Sequence, residues 1–216
     1  MEKIMKRILC LILAATLCIG AALTLGSCGD SDKDIFDLAK ELNPTKTVTF
    51  VEYKTASGDD LGGEFVLEKD GSDAIFTYLY KKYRTSDELI ADNTNERIKE
   101  FSGTVYCKDG KYSEDGKTWG SSPVPFELKF DLNKDNLTNV SITDDGKTLS
   151  AEIAADKVEA VLGTALSAEG AISLVAVSNG TYLTGITVSC TTSSGAQLVI
   201  RTSYSYNELS LVFPEA

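Results

Sequence analysis

Apolar and polar residues alternate with a period of two along most of the chain after residue 46. This pattern predicts half-buried β-strands. Turn-forming pairs separate the runs, notably Asp70-Gly71, Asp109-Gly110 and Asn179-Gly180, and such pairs favour hairpins between antiparallel strands. The predicted strands are Thr47–Lys54, Glu64–Glu68, Ala74–Tyr83, Ile98–Lys108, Phe126–Leu132, Leu137–Thr143, Thr148–Ile153, Ala171–Ser178, Thr181–Thr191, Gln197–Tyr206 and a short Leu209–Phe213.

Two segments have helical spacing instead. In Asp34–Leu42 the apolar residues Ile35, Leu38 and Leu42 share one side, and Asn43-Pro44 follows as a stop. The second predicted helix is Ala155–Leu162, with Gly163 after it. Thr85–Asn95 is polar and is predicted to be a loop. The predicted fold class is therefore α+β and mainly β, with a large antiparallel sheet and two short helices.

The first residues have a different pattern. Lys3, Lys6 and Arg7 precede Ile8–Gly26, which contains no charged residue. A basic stretch followed by an apolar one is typical of a secretory signal, although an apolar run of this length could also be an uncleaved transmembrane anchor. The end of the run, Leu25-Gly26-Ser27-Cys28, resembles the lipobox of bacterial lipoprotein precursors.

The lipobox resemblance implies a division of the chain and a location. Residues 1–27 would be a cleaved signal peptide, residues 28–34 a lipidated tether and residues 35–216 a single domain. Cys28 would carry the lipid that anchors the protein to a cell membrane, with the domain outside the cytoplasm. More than one acyl chain is needed for a stable anchor of this kind.

Charge and residue types narrow the possible functions. Residues 28–216 contain 18 Lys+Arg and 31 Asp+Glu, a net charge of −13, which argues against binding nucleic acid. The chain has no His, so a Ser-His-Asp triad and an imidazole metal site are excluded. The pairs Asp59-Asp60 and Asp144-Asp145 lie in turns, and Asp131-x-Asn133-x-Asp135 lacks the remaining ligands of an EF-hand. We therefore expect no enzymatic activity, no metal and no cofactor.

The chain has five cysteines, and cleavage after residue 27 would leave two besides Cys28. Cys107 follows Tyr106 in one strand-like run, and Cys190 ends another. They could form a disulfide, which an extracytoplasmic location would permit, or they could be buried free thiols. The sequence leaves both alternatives open.

The order of elements resembles the LolA/LolB/LppX-like superfamily of bacterial lipoprotein and lipid carriers. The similar features are a helix leading into Lys46-Thr47-Val48-Thr49-Phe50, the segment Lys111–Trp119, helix content near Asp156–Ala160 and a final meander ending in Tyr204-Ser205-Tyr206. The resemblance implies an unclosed half-barrel whose helices lie on its concave side. It also implies a lipid, an acyl chain or a partner's lipid moiety bound in the cavity.

Aromatic and aliphatic residues on shared strand faces are the candidate ligand-binding residues. They are Phe65, Leu67, Phe76, Tyr78, Tyr80, Ile200, Tyr204 and Tyr206. The alternative is that these side chains simply fill a packed core. The main functional hypothesis is thus a lipid-anchored, non-catalytic protein that binds a hydrophobic ligand. The second is a surface lipoprotein with a packed core that binds an envelope protein through loops such as Thr85–Asn95.

Overall fold

The structure is a computed structural model that describes residues 33–120, 130–143 and 145–214. These residues belong to one compact unit, Asp32–Ala216. Cys28, the signal segment and most of the tether lie outside the described residues, as do Phe126–Lys129 of one predicted strand.

Within these described ranges, ten strands form a single antiparallel sheet in the order β5-β4-β3-β2-β1-β10-β9-β8-β7-β6. The two end strands, β5 and β6, are not paired with each other, so the sheet is open. The strands are β1 Lys46–Lys54, β2 Asp60–Asp70, β3 Asp73–Tyr83, β4 Ile98–Lys108, β5 Lys111–Ser113, β6 Leu137–Ile142, β7 Thr148–Ile153, β8 Ile172–Ser178, β9 Leu183–Thr191 and β10 Gln197–Ser205. The predicted fold class, a mainly β protein with a large unclosed antiparallel sheet, is confirmed.

Three short α-helices accompany the sheet in the described residues, one more than predicted. They are α1 Ile35–Lys40, α2 Ser86–Ala91 and α3 Val158–Leu162, and 3-10 turns occur at Lys134–Asn136 and Ala155–Lys157. The Asp34 side chain caps α1 by accepting a hydrogen bond of 3.1 Å from the Phe36 amide. Gly163 ends α3 with a φ of 66°, a left-handed conformation that favours glycine.

The main core lies between the helices α1 and α3 and one face of β6–β10, which we call the apolar face. Helix α1 contacts β8 and β9, and its Ile35 is 1% exposed. Residues that face it, such as Leu174 and Val188, are 0% exposed. Phe130 and Leu132 belong to this core as well, but the chain around them is not a strand. The predicted strand at Phe126–Leu132 is therefore wrong over its described part.

Two other segments differ from their predictions. The predicted loop Thr85–Asn95 contains α2, which Thr85 and Glu88 begin through a reciprocal capping box. Leu209–Phe213 is not a strand because it pairs with no neighbouring strand in the described chain. This segment instead carries Phe213 to the first half of the sheet, where its ring lies 6.3 Å from that of Tyr106 and 6.5 Å from that of Trp119.

Candidate functional site: an aromatic row on the apolar face

The apolar face continues across β1–β4, where it forms a second and smaller hydrophobic cluster. Leu67, Phe76 and Val105 are buried there, and Phe65 and Tyr78 pack against them. The strand register explains the grouping, because Leu67 lies opposite Phe76 and Phe76 lies opposite Val105. Among the described residues, no helix side chain belongs to this cluster. In the described part of the chain, the apolar face across β2–β4 is therefore built from strand residues.

Five aromatic rings of this half lie in series, and we call them the aromatic row: Phe65, Phe76, Tyr78, Tyr80 and Phe101. Neighbouring ring centroids are 5.9 Å apart for Phe76 and Tyr78, 5.8 Å for Tyr78 and Tyr80, and 5.5 Å for Tyr80 and Phe101. Such separations are typical of favourable aromatic pairs. Phe76 is buried, whereas the other four rings are only half-buried. The row thus presents a continuous strip of partly accessible aromatic surface.

A glycine makes room for one ring of the row. Tyr78 lies opposite Gly103 in the β3–β4 register. A Cβ atom added to Gly103 would lie 2.5 Å from the Tyr78 hydroxyl oxygen and 2.7 Å from its Cζ, which is too close for a real contact. The Tyr78 ring therefore lies directly over the backbone of β4, and any side chain at position 103 would displace it.

A strip of hydroxyl groups separates the two hydrophobic clusters. Thr49 on β1 and Thr202 on β10 are 4% and 3% exposed, and their hydroxyl oxygens are 3.0 Å apart in a hydrogen bond. Beside them, the buried Tyr204 hydroxyl has no hydrogen-bond partner in the described chain. Burial, together with the nearby Tyr206, raises the pKa of Tyr204 well above its ordinary value. The polar strip marks the edge of the second cluster.

Two lysines lie at the Phe101 end of the row, away from Phe76. Lys82 Nζ lies 4.5 Å from the centroid of the Phe101 ring, and Lys99 Nζ lies 5.4 Å from it. These are cation–π distances. Lys82 also forms an ion pair of 3.3 Å with Glu88, and Lys99 one of 2.8 Å with Asp92. The aromatic row therefore ends in a pair of ammonium groups.

The structure brings together five of the eight predicted ligand-binding residues: Phe65, Leu67, Phe76, Tyr78 and Tyr80. Ile200 lies in the main core with 7% exposure, and Tyr204 packs against that core. Tyr206 follows the end of β10, where its hydroxyl donates a hydrogen bond of 2.8 Å to the Leu183 carbonyl and its ring stacks on Tyr182. Burial and the neighbouring Tyr182 raise the pKa of Tyr206 to about 12. These three residues are not part of the row.

The sequence interpretation missed Phe101, Lys82 and Lys99. Phe101 alternates with Val105 and Cys107 on the same face of β4, so strict parity along Ile98–Lys108 would have found it. Lys82 shares parity with Tyr78 and Tyr80 on β3. A lysine that continues the aromatic face of a predicted strand was the signal that could have identified Lys82 as a candidate site residue.

The two cysteines are free and buried, and no disulfide joins them. Cys107 is on β4 and Cys190 on β9, with four strands between them in the sheet order. Adjacent strands are about 4.8 Å apart, whereas a disulfide needs Cα atoms within about 7 Å. Of the two alternatives, the structure has buried thiols. Burial raises the pKa of Cys190, which favours the protonated thiol.

Other candidate chemical groups have structural partners. Asp59 accepts hydrogen bonds from Tyr83 and Ser57, and Asn133 caps a 3-10 turn through the Asp135 amide. In the described part of the chain, no three His, Cys, Asp or Glu side chains are placed to hold a metal ion. A shallow pocket of about 160 Å³ lies away from the row, between Lys33-Asp34, Ile142 and the Gly146 turn. None of the described helices is long and apolar enough to cross a membrane.

A scan against protein-family models and a search of curated proteins both find no match to this sequence. The resemblance to the LolA/LolB/LppX-like superfamily stays a prediction. The geometry of the aromatic row is therefore the basis for a functional proposal.

Proposed function

We propose that this protein is a non-catalytic, lipid-anchored extracytoplasmic protein that binds a hydrophobic ligand, a lipid or an acyl chain, along the aromatic row. Cys28 is the proposed anchor. The observation that carries the proposal is the row itself, in which Tyr78, Tyr80 and Phe101 remain half-buried on the face of the sheet that forms the main core across β6–β10. Completing the burial of such rings stabilises a complex, since apolar surface contributes about 25 cal/mol per Å² removed from water.

The contrast within one sheet supports this proposal. On β6–β10 the apolar face is covered by α1 and α3 and its residues are close to fully buried. On β2–β4 the same face has larger, aromatic side chains and greater exposure. Ligand sites in proteins are mostly lined by apolar and aromatic groups with few polar ones, and the row with its terminal lysines has that composition.

A photo-crosslinking experiment tests the proposal on the full chain in its membrane. Cells that produce the protein are given a long-chain fatty alcohol and a long-chain fatty acid, each with a diazirine near the middle of the chain. After irradiation, the labelled residues are located by peptide mass spectrometry. We expect label on β3 and β4, at positions of the aromatic row.

Two tyrosines of β3 provide a matched pair of variants. Tyr80 points to the apolar face and Tyr83 to the opposite face. We expect Tyr80→Ala to reduce labelling about tenfold and Tyr83→Ala to leave it unchanged. The proposal would be contradicted if neither probe labels β3 and an organic extract of the purified protein contains no lipid.

The second candidate function is binding of an envelope protein through the connection between β3 and β4. Helix α2 buries none of its residues, and its Ile90 is 77% exposed. This isoleucine is the candidate contact residue for the protein partner. Capture of the same envelope protein by the unaltered chain and by Tyr80→Ala, but not by Ile90→Asp, would favour this function over ligand binding.

A further inference from the structure

The two lysines at the end of the aromatic row form an unusual pair. Lys82 on β3 lies directly opposite Lys99 on β4, and both belong to the apolar face. Like charges that lie directly opposite each other on adjacent strands destabilise a sheet. Both ammonium groups also lie near the same ring, that of Phe101. In the folded chain Glu88 pairs with Lys82 and Asp92 with Lys99, whereas an anion bound between the two lysines would contact both ammonium groups at once.

We infer that the ligand is a long-chain fatty acid whose carboxylate binds between Lys82 and Lys99 while its hydrocarbon chain lies along the aromatic row. This inference rests on the proposed function and specifies its ligand class. The carboxylate accepts hydrogen bonds from both ammonium groups, and hydrogen bonds of this kind between charged groups are among the stronger ones in proteins.

The present partners of the lysines are themselves carboxylates. Lys82 is paired with Glu88 and Lys99 with Asp92, so a carboxyl group already fits beside each ammonium. The lysine side chains remain 42% and 34% exposed. Ion pairs at such exposed positions contribute little to stability, and α2, which supplies Glu88, has no buried residue. A ligand carboxylate can replace these contacts at low cost.

The direction of the ligand follows from β3. Phe76, Tyr78, Tyr80 and Lys82 are alternate residues of this strand and share one face. Since a strand rises about 3.4 Å per residue, Phe76 and Lys82 are separated by roughly 20 Å. The buried Phe76, with Leu67 and Val105, forms the fully apolar end. A single extended acyl chain thus has its methyl end at Phe76 and its carboxylate at Lys82.

The test compares the two photoreactive probes on the full chain in cells. The fatty acid and the fatty alcohol have the same chain and differ in head-group charge. We expect the double variant K82Q/K99Q to reduce labelling by the fatty acid about tenfold, because each glutamine replaces a charge-assisted hydrogen bond with a weaker neutral one. Labelling by the alcohol should not change. Lys81 and Lys108 lie on the opposite face, so K81Q/K108Q is the matched control with the same change in net charge.

The outcomes separate this inference from the proposed function. If both probes label the row equally and K82Q/K99Q affects neither, the row binds acyl chains but the carboxylate site is wrong. A photoreactive phospholipid that labels the row while the fatty acid does not would also overturn the inference. If neither probe labels β3 or β4, the proposed function itself fails.

Discussion

The two halves of the sheet share the same alternation of apolar and polar residues but differ in how completely their apolar face is buried. In β6–β10, α1 and α3 cover the apolar face, and aliphatic residues such as Leu149, Leu174 and Val188 are completely buried. In β1–β4, the face carries the aromatic row, and four of its five rings stay half-buried. Alternation thus determines which face is apolar, while the covering elements determine whether that face becomes a core or a candidate site.

The largest expected effect is a loss of stability from the covered half. Leu174→Ala removes a side chain with 0% exposure from the main core, and we expect a loss of about 3 kcal/mol in the free energy of unfolding. Phe101→Ala, in the half-buried row, should cost less than half of that. Urea denaturation followed by circular dichroism measures both. Equal costs would mean that the two halves are packed alike.

The second expected effect is a loss of ligand binding. It should be large for a change in the aromatic row and absent for a change in the main core. Tyr80→Ala should reduce photolabelling of β3 about tenfold, whereas Leu174→Ala should leave labelling unchanged at temperatures where the variant is folded. The expected difference follows because Tyr80 presents accessible ring surface and Leu174 presents none. A similar loss of labelling in both variants would place the ligand in the main core.

A smaller effect is expected from changing the space beneath one ring. Gly103→Ala places a Cβ atom where the Tyr78 ring lies, so the ring must move while almost no apolar surface is lost. We expect labelling to change by a few fold and stability by about 1 kcal/mol. Gly120→Ala is a suitable control, since a Cβ atom there meets no neighbour within 4 Å. Identical labelling in the two variants would exclude Tyr78 from the site.

The smallest expected effect is a pH dependence of stability, caused by Asp115 near the β5 end of the aromatic half. Asp115 accepts hydrogen bonds from the Thr118 and Lys117 amides and from Ser113, and these hold the pKa of its carboxyl well below the usual range. A lowered pKa in the folded state stabilises the protein above the unfolded pKa, about 3.9, and this contribution is lost as pH falls below it.

The variant Asp115→Asn tests that pH dependence. It should be less stable than the unaltered protein at neutral pH, and the difference should shrink as pH falls below about 4. Thermal unfolding at several pH values measures it. A difference that stays constant with pH would show that the Asp115 charge has no role in the turn.

The sequence predicted much of the fold because its signals are local. Alternation predicted strands at Ala74–Tyr83 and Ile98–Lys108, and these correspond closely to β3 and β4. The Asp-Gly pairs correspond to turns between strands. Helix α2 was missed because it has only six residues and no apolar stripe, although Thr85 and Glu88 have capping-box spacing. The strand predicted at Leu209–Phe213 failed because alternation alone does not supply a partner strand.

The candidate site was predictable only in part. Parity correctly placed Phe65, Tyr78 and Tyr80 on one face, but it also assigned Ile200 and Tyr204 to the ligand. Those two residues share the apolar face, but Ile200 lies within the main core and Tyr204 packs against it. Which half of a face is covered depends on tertiary contacts of α1 and α3, and no local pattern contains that information.

The pairing of β1 with β10 has a consequence for the order in which the protein assembles. Every other pair of adjacent strands is consecutive in the chain, whereas this one joins residues 46–54 to residues 197–205. Contacts between distant residues form slowly because a long loop must close first. Each group of five strands can form from nearby contacts, and the Thr49–Thr202 hydrogen bond and the Glu52–Arg201 ion pair then join them. The proposed ligand half is thus synthesised first but acquires its neighbour last.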